Sequence, residues 1–210
     1  MTVASDQRPA LLRRGIRLEW LTVGWNILEG VIAITAGAIA GSVALIGFGV
    51  DSAVETTSGA VLLWRLSAEA RGTLDEEAVE RVEHRAERLV GVAFLLLAAY
   101  VAFEAVRSLV TGEAPDASPV GIVLTAVSIA VMLWLAGQKR RTGEALGSRA
   151  LVADSKQTYA CWYLSVTTLV GLALNAVLGW WWADPVAGLV IVVFLLREAV
   201  EALRGEDDDD

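Results

Sequence analysis

The sequence predicts an all-α, polytopic membrane protein of six transmembrane helices with both termini cytoplasmic. Composition is the first reason: of 210 residues, 55% are hydrophobic and 20% charged, with mean hydropathy +0.55, whereas soluble domains run about 45–50% apolar and about 25% charged. The second is that the charges are gathered into blocks, leaving apolar tracts as long as a bilayer is thick. The third is the placement of Lys and Arg. With the N-terminus inside, all but Arg107 of the 17 basic residues fall in inner segments or toward inner helix ends, and an excess of such residues marks the cytoplasmic side.

The first apolar region, Arg17 to Arg65, would be roughly 70 Å long as one helix, more than twice a hydrocarbon core of about 30 Å. It is therefore read as two spans, near 16–38 and 42–65, with the turn supplied by the small-residue stretch Gly37 to Ser42. The connector 67–88 is rich in Glu and Arg and reads as a solvated helix in its second half. There Glu77 with Arg81 and Glu80 with His84 stand as acid-first i,i+4 pairs, each contributing about 0.2–0.5 kcal/mol. A third span is expected near 89–110, with Glu104 and Arg107 as a local ion pair. The turn-forming loop Thr111 to Pro119 leads to a fourth span at 119–137. The region 150–204 holds two more, broken at Trp180-Trp-Trp-Ala-Asp184-Pro185. Here proline starts a helix, Asp184 reads as its N-cap, and the tryptophans, like Trp64, suit the membrane interface.

By domain, residues 1–15 are expected to form a cytoplasmic N-terminal segment, 16–204 the six-helix domain, and 205–210 an acidic, disordered tail. Met1 to Ala10 lacks the pattern of a cleavable signal, so the first span is expected to serve as the targeting element. One Cys and one His exclude a disulfide framework, a Cys-rich zinc fold and any site of several histidines. The formal charge of −8 is concentrated in the tail and in 75–87, and nucleic acid is excluded as a partner. The partners that remain are the lipid bilayer and whatever the intramembrane polar groups bind.

Those groups are few, and a charge at bilayer depth costs at least about 2.5–3.5 kcal/mol even on lenient scales, so each is a functional hypothesis. The second span carries Asp51-Ser-Ala-Val-Glu55, two carboxylates on one helical face about 6 Å apart. They are tolerable together if a cation neutralises them or if one holds a proton, and both are properties of a cation-exchange site. The fifth span carries Asp154, Gln157 and Cys161 at i, i+3 and i+7. Measured from Arg65 and Arg149, the two stripes lie roughly 12–21 Å along their helices and both reach mid-membrane. Asp51, Glu55, Gln157 and Cys161 would together give a tetrahedral oxygen and sulfur site for a divalent transition metal, the thiolate favouring softer ions such as Zn²⁺. Cys161 is otherwise a small apolar packer. Asn26 and Glu29 reach similar depth on the first span, either as extra ligands or as interhelical hydrogen-bond partners. Asp154 is expected to act as a gating charge at the inner mouth.

Gly41-Ser-Val-Ala-Leu45 leading into Asp51-Ser-Ala-Val-Glu55, then Ala153-Asp154, and Ala183-Asp184-Pro185 opening the sixth span, resemble the six-helix transmembrane domain of the cation diffusion facilitator family. The resemblance covers residues 12–204. It implies a multi-pass protein of the cell membrane, a homodimer that exports a divalent metal in exchange for protons, with no resident cofactor and no enzymatic activity. It places one Asp-x-x-x-Asp pair on the second helix and one His-x-x-x-Asp pair on the fifth. Asp51 matches the first position, Glu55 conservatively replaces the second, and Gln157 and Cys161 occupy the last two while matching neither family residue. Without the histidine, the group suited to proton coupling near neutral pH is absent, and Glu55 or Cys161 is expected to take that role. The family commonly continues past the equivalent of Gly205 into a cytoplasmic metal-binding domain, so a dimer would here be held by membrane helices. The expected function is proton-coupled efflux of a divalent transition metal, most plainly zinc. The rival is a non-transporting membrane scaffold or regulatory subunit that retains the fold. An intramembrane enzyme is disfavoured because no nucleophile has a base beside it.

Overall fold

The computed structural model describes residues 8–73, 75–112 and 115–204, with the side chains at 76, 78–90, 93, 149, 198, 201–202 and 204 outside that description. Six helices run in order: α1 Arg8–Ala40, α2 Val43–Arg71, α3 Glu76–Thr111, α4 Pro119–Leu146, α5 Arg149–Leu178 and α6 Ala183–Arg204. No strand occurs among the described residues. By length and composition, Arg8–Ala40, Phe94–Thr111, Pro119–Leu146 and Ala150–Leu178 are apolar enough to cross a membrane. In α2 the apolar run is interrupted by Asp51, Glu55 and the hydroxyl residues that follow.

The ends of the helices follow local chemistry. Ser42, Ser118 and Ser148 each accept a hydrogen bond from the backbone N–H three residues on, caps that contribute about 1 kcal/mol apiece. Gly72, Gly147 and Gly179 close α2, α4 and α5 in left-handed conformations. Within the expected turn 37–42, only Gly41 (φ 68°) and the capping Ser42 leave the helix. Gly37 stays helical, and a Cβ there would lie 2.8 Å from Ile46 Cγ1, so its role is the close approach of α1 to α2. The connector before the third span also differs from expectation. Its charged half is continuous with that span, giving a helix of 36 residues, because Glu, Ala and Arg are strong helix formers and no Gly or Pro intervenes before Gly91. The pairs expected at Glu77–Arg81 and Glu80–His84 lie outside the described side chains.

Contacts between distant helix ends define two faces. At one, Arg8 pairs with Glu69 at 2.5 Å and Arg14 donates to Gln138 at 2.5 Å, tying the start of α1 to the ends of α2 and α4. At the other, Asp116 N–H donates to Ala40 O at 2.8 Å and Asn175 Nδ2 donates to Pro115 O at 2.9 Å. The chain thus crosses back and forth, and the start of α1 and the end of α6 share a face. Asp184 sits in the first turn of α6, but its carboxylate caps a different helix. It accepts from Ser42 Oγ at 2.5 Å and Val43 N at 3.0 Å at the start of α2. Glu104 and Arg107 do form the local ion pair, at 3.3 Å. Trp180 and Trp182 stack, ring centroids 5.2 Å apart, and remain exposed at the second face.

The main core packs α2, α3 and α6 around Leu45, Phe48, Val101, Ile191 and Leu195. A smaller cluster of Leu12, Leu62, Leu66, Leu146 and Leu151 closes the first face. Between them, the facing sides of α1, α2, α4 and α5 are lined with buried polar residues.

Candidate metal site

The polar lining is set by helical register. On α1 the buried side chains Glu19, Thr22, Asn26 and Glu29 follow at i, i+3, i+7 and i+10, and on α4 Thr125, Ser128, Lys139 and Thr142 belong to one buried face. On α5 the buried ladder is Asp154, Thr158, Cys161, Ser165 and Thr168, climbing roughly 21 Å. All of it lies in a bundle whose outer surface exposes apolar side chains such as Trp20, Leu28, Leu96 and Val123.

At mid-height, α2 and α5 meet. Asp51 and Glu55 are 4% and 1% exposed. The Cys161 thiol donates to Asp51 Oδ2 at 2.9 Å, and the Thr158 hydroxyl donates to Glu55 Oε1 at 2.8 Å. Gln157 is half-buried and accepts from Ser58 Oγ at 3.1 Å, one turn from Glu55. At about 100° per residue, Thr158 and Cys161 straddle the direction of Asp154, while Gln157 lies about 60° to one side. That is why Thr158 meets Glu55 and Gln157 meets Ser58. Glu29 accepts from Ser52 Oγ at 3.3 Å and leaves Oε1 without a hydrogen-bond partner, as both polar atoms of Asn26 are left. Among the described residues, no three His, Cys, Asp or Glu side chains are gathered tightly enough to hold a metal ion. Asp51 and Cys161 are joined through a proton, with Glu55 turned to the hydroxyl beside them.

Two charged groups in this lining escape a reading from sequence. Lys139 is 0% exposed and reaches Asp154 Oδ2 at 2.5 Å, Thr158 Oγ1 at 3.2 Å and Glu19 Oε2 at 3.3 Å. In sequence Lys139 opens the basic run Lys139-Arg140-Arg141 and counts as an inner-loop charge, and Glu19 stands two residues from Arg17 at a helix end. The available signal was periodicity. Glu19 continues the Thr22, Asn26, Glu29 stripe, and Lys139 lies at i+4 from Leu135 and i+7 from Met132 on the buried face of α4.

A bundle of membrane-length helices that buries carboxylates and a thiol face to face, and turns its apolar side chains outward, defines a polytopic membrane protein with a polar interior. Residues 20–205 match the cation efflux transmembrane domain, and the chain belongs to that family. It is 30% identical over 195 residues to an uncharacterized transporter of Synechocystis sp., covering 89% of this chain and 63% of that protein. It is 23% identical to transmembrane protein 163 of Xenopus laevis (91% of this chain, 66% of that one). It is 28% identical over 113 residues to the cation-efflux pump FieF of Shewanella oneidensis (54% and 36%). The chain therefore spans less than two thirds of the length of these curated relatives.

Proposed function

We propose that the protein exports a divalent transition-metal cation, zinc foremost, across the cell membrane in exchange for protons, and that it works as a homodimer. The observation that carries this reading is the buried Cys161–Asp51 contact across α5 and α2, with Glu55 one turn away. A thiol hydrogen-bonded to a carboxylate is a proton-loaded form of a metal site, because metal binds the deprotonated ligands and releases what they held. Asp51, Glu55 and Cys161 are the proposed ligands. Gln157 is the fourth, its amide oxygen already directed at α2 through Ser58. Family membership supports metal-cation transport, and the thiol supports a soft or borderline ion over Mg²⁺ or Ca²⁺.

Flux measured in proteoliposomes across a metal series tests the reading, with Asp51→Ala, Glu55→Ala and Cys161→Ser alongside. Loss of zinc flux and of metal-dependent proton release in the first two variants is expected. Unchanged flux in all three removes the site. Absence of both flux and proton release from the unaltered protein favours the non-transporting scaffold.

A further inference from the structure

Lys139 lies on the first-face side of the proposed site, and the groups around it exceed what one ammonium can satisfy. Glu19, on α1, is 0% exposed and neither of its oxygens has a hydrogen-bond partner, although Oε2 is 3.3 Å from Lys139 Nζ. Asp154, on α5, receives Nζ on Oδ2 and leaves Oδ1 without a partner. The third contact of Nζ is Thr158 Oγ1 at 3.2 Å, whose hydroxyl goes on to Glu55, and Glu55 Oε2 is also without a partner. An ammonium has three protons to donate; two go to Asp154 and Thr158, and Glu19 is held only by the 3.3 Å ion pair. Buried carboxylate oxygens left over in this way are costly, and each calls for an explanation.

Position supplies one. Asp154 is seven residues before Cys161 on the α5 ladder, about 10 Å along the helix, toward the face where the basic residues cluster. A cation travelling from that face to Asp51 and Cys161 meets Glu19 and Asp154 first, and finds a positive charge already between them.

We propose that Glu19 and Asp154 form a second cation site, taking a divalent ion through oxygen alone, in which the Lys139 ammonium is the resident occupant that an arriving metal displaces. This rests on the reading of the protein as a metal transporter. The chemistry of the parts agrees with it. Carboxylates without a thiol suit harder ions than the Asp51–Cys161 site does, and a lysine carries its charge as a compact ammonium on a flexible stem able to swing aside. Substituting a doubly for a singly charged occupant also leaves the surplus carboxylate oxygens better matched. Thr158 links the two sites, since the hydroxyl that contacts the ammonium is the one that holds Glu55.

Equilibrium Mn²⁺ binding to the purified full chain, with monodispersity and a thermal melt recorded for every variant, tests the proposal. At Mn²⁺ concentrations too low to displace the ammonium, Lys139→Met is expected to bind one more Mn²⁺ per chain than the unaltered protein, and Glu19→Gln added to Lys139→Met is expected to abolish that extra equivalent. Asp51→Ala with Cys161→Ser, added to Lys139→Met, should leave the extra equivalent in place, so failure of the Asp51–Cys161 site and failure of this one are read separately. If Lys139→Met does not fold, Lys139→Gln replaces it, keeping a hydrogen-bonding group without the charge. A folded variant that binds no additional ion overturns the proposal. So does a failure of both variants to fold, which would make the ammonium a structural brace.

Discussion

The thiol of Cys161 and the carboxylate of Asp51 are hydrogen-bonded at 2.9 Å across the α2–α5 contact, each buried and each placed by its own helix. A proton thus occupies the space between the two groups that we propose share a cation. Replacing the sulfur with oxygen changes the softness of that pair while keeping its size and hydrogen bond. Cys161→Ser is expected to weaken Zn²⁺ and Cd²⁺ binding by about tenfold or more, the scale on which even a ligand's own hydrogen-bond partner matters, and to spare Mn²⁺. Isothermal titration across the three metals checks the order.

The same proton sets the sign of the pH dependence. If metal binds the deprotonated thiol and carboxylates as proposed, acid favours the proton-loaded site and apparent affinity is expected to rise with pH. The slope of log affinity against pH should approach about one for each proton displaced. In Cys161→Ser the alkaline part of that slope should disappear. A flat profile in the unaltered protein would mean that no proton leaves.

Gln157 stands where the resembled family carries histidine, and its amide already reaches α2 at Ser58. Gln157→His is expected to tighten zinc binding about tenfold, imidazole being a better zinc ligand than an amide. It should also add a pH step near neutrality. Thr158→Ala provides the contrast: it leaves Glu55 Oε1 without its 2.8 Å donor and should lower zinc affinity without adding a step.

Asp184 holds the start of α2 rather than that of its own helix. Asp184→Ala strips the Ser42 hydroxyl and the Val43 amide of their acceptor, all within a buried cluster. A loss of about 2–4 kcal/mol in unfolding free energy is expected, with Asp184→Asn recovering part of it. Reversible denaturation in detergent measures both.

Gly37→Val should destabilise the α1–α2 pair by about 1–3 kcal/mol, because the added Cβ meets Ile46 Cγ1 at 2.8 Å and Ile46 N at 3.0 Å. Gly24→Ala, whose Cβ would meet nothing within 4 Å, is the neutral control. Thermal melts of the two separate packing from helix propensity.

The six-helix architecture was legible because span length and charge blocks are one-dimensional properties. The breaks at Gly41, at Gly112 and 115–118, and at 179–182 fall where turn residues cluster. The stripe Asp51–Glu55 was legible for the same reason, as a fixed spacing on one helix. Rotation of one helix against another was not. A tilt of α5 by less than one residue's turn decides whether Gln157 or Thr158 faces Glu55, and spacing alone cannot choose between i+3 and i+4. Asp184 was read as a cap correctly in kind but for the wrong helix, since only the fold brings residue 184 to residue 42. Lys139 was hidden by its neighbours Arg140 and Arg141, which are exposed and gave the whole run the look of a loop.

The Gly41 turn also bears on how the buried acids of the first two helices are accommodated. Joined by so short a link, α1 and α2 form a hairpin, and the bond from Ser52 to Glu29 spans its two arms. The Glu29 carboxylate, buried on α1, thus meets a polar partner within the hairpin itself and does not depend on a later helix for it.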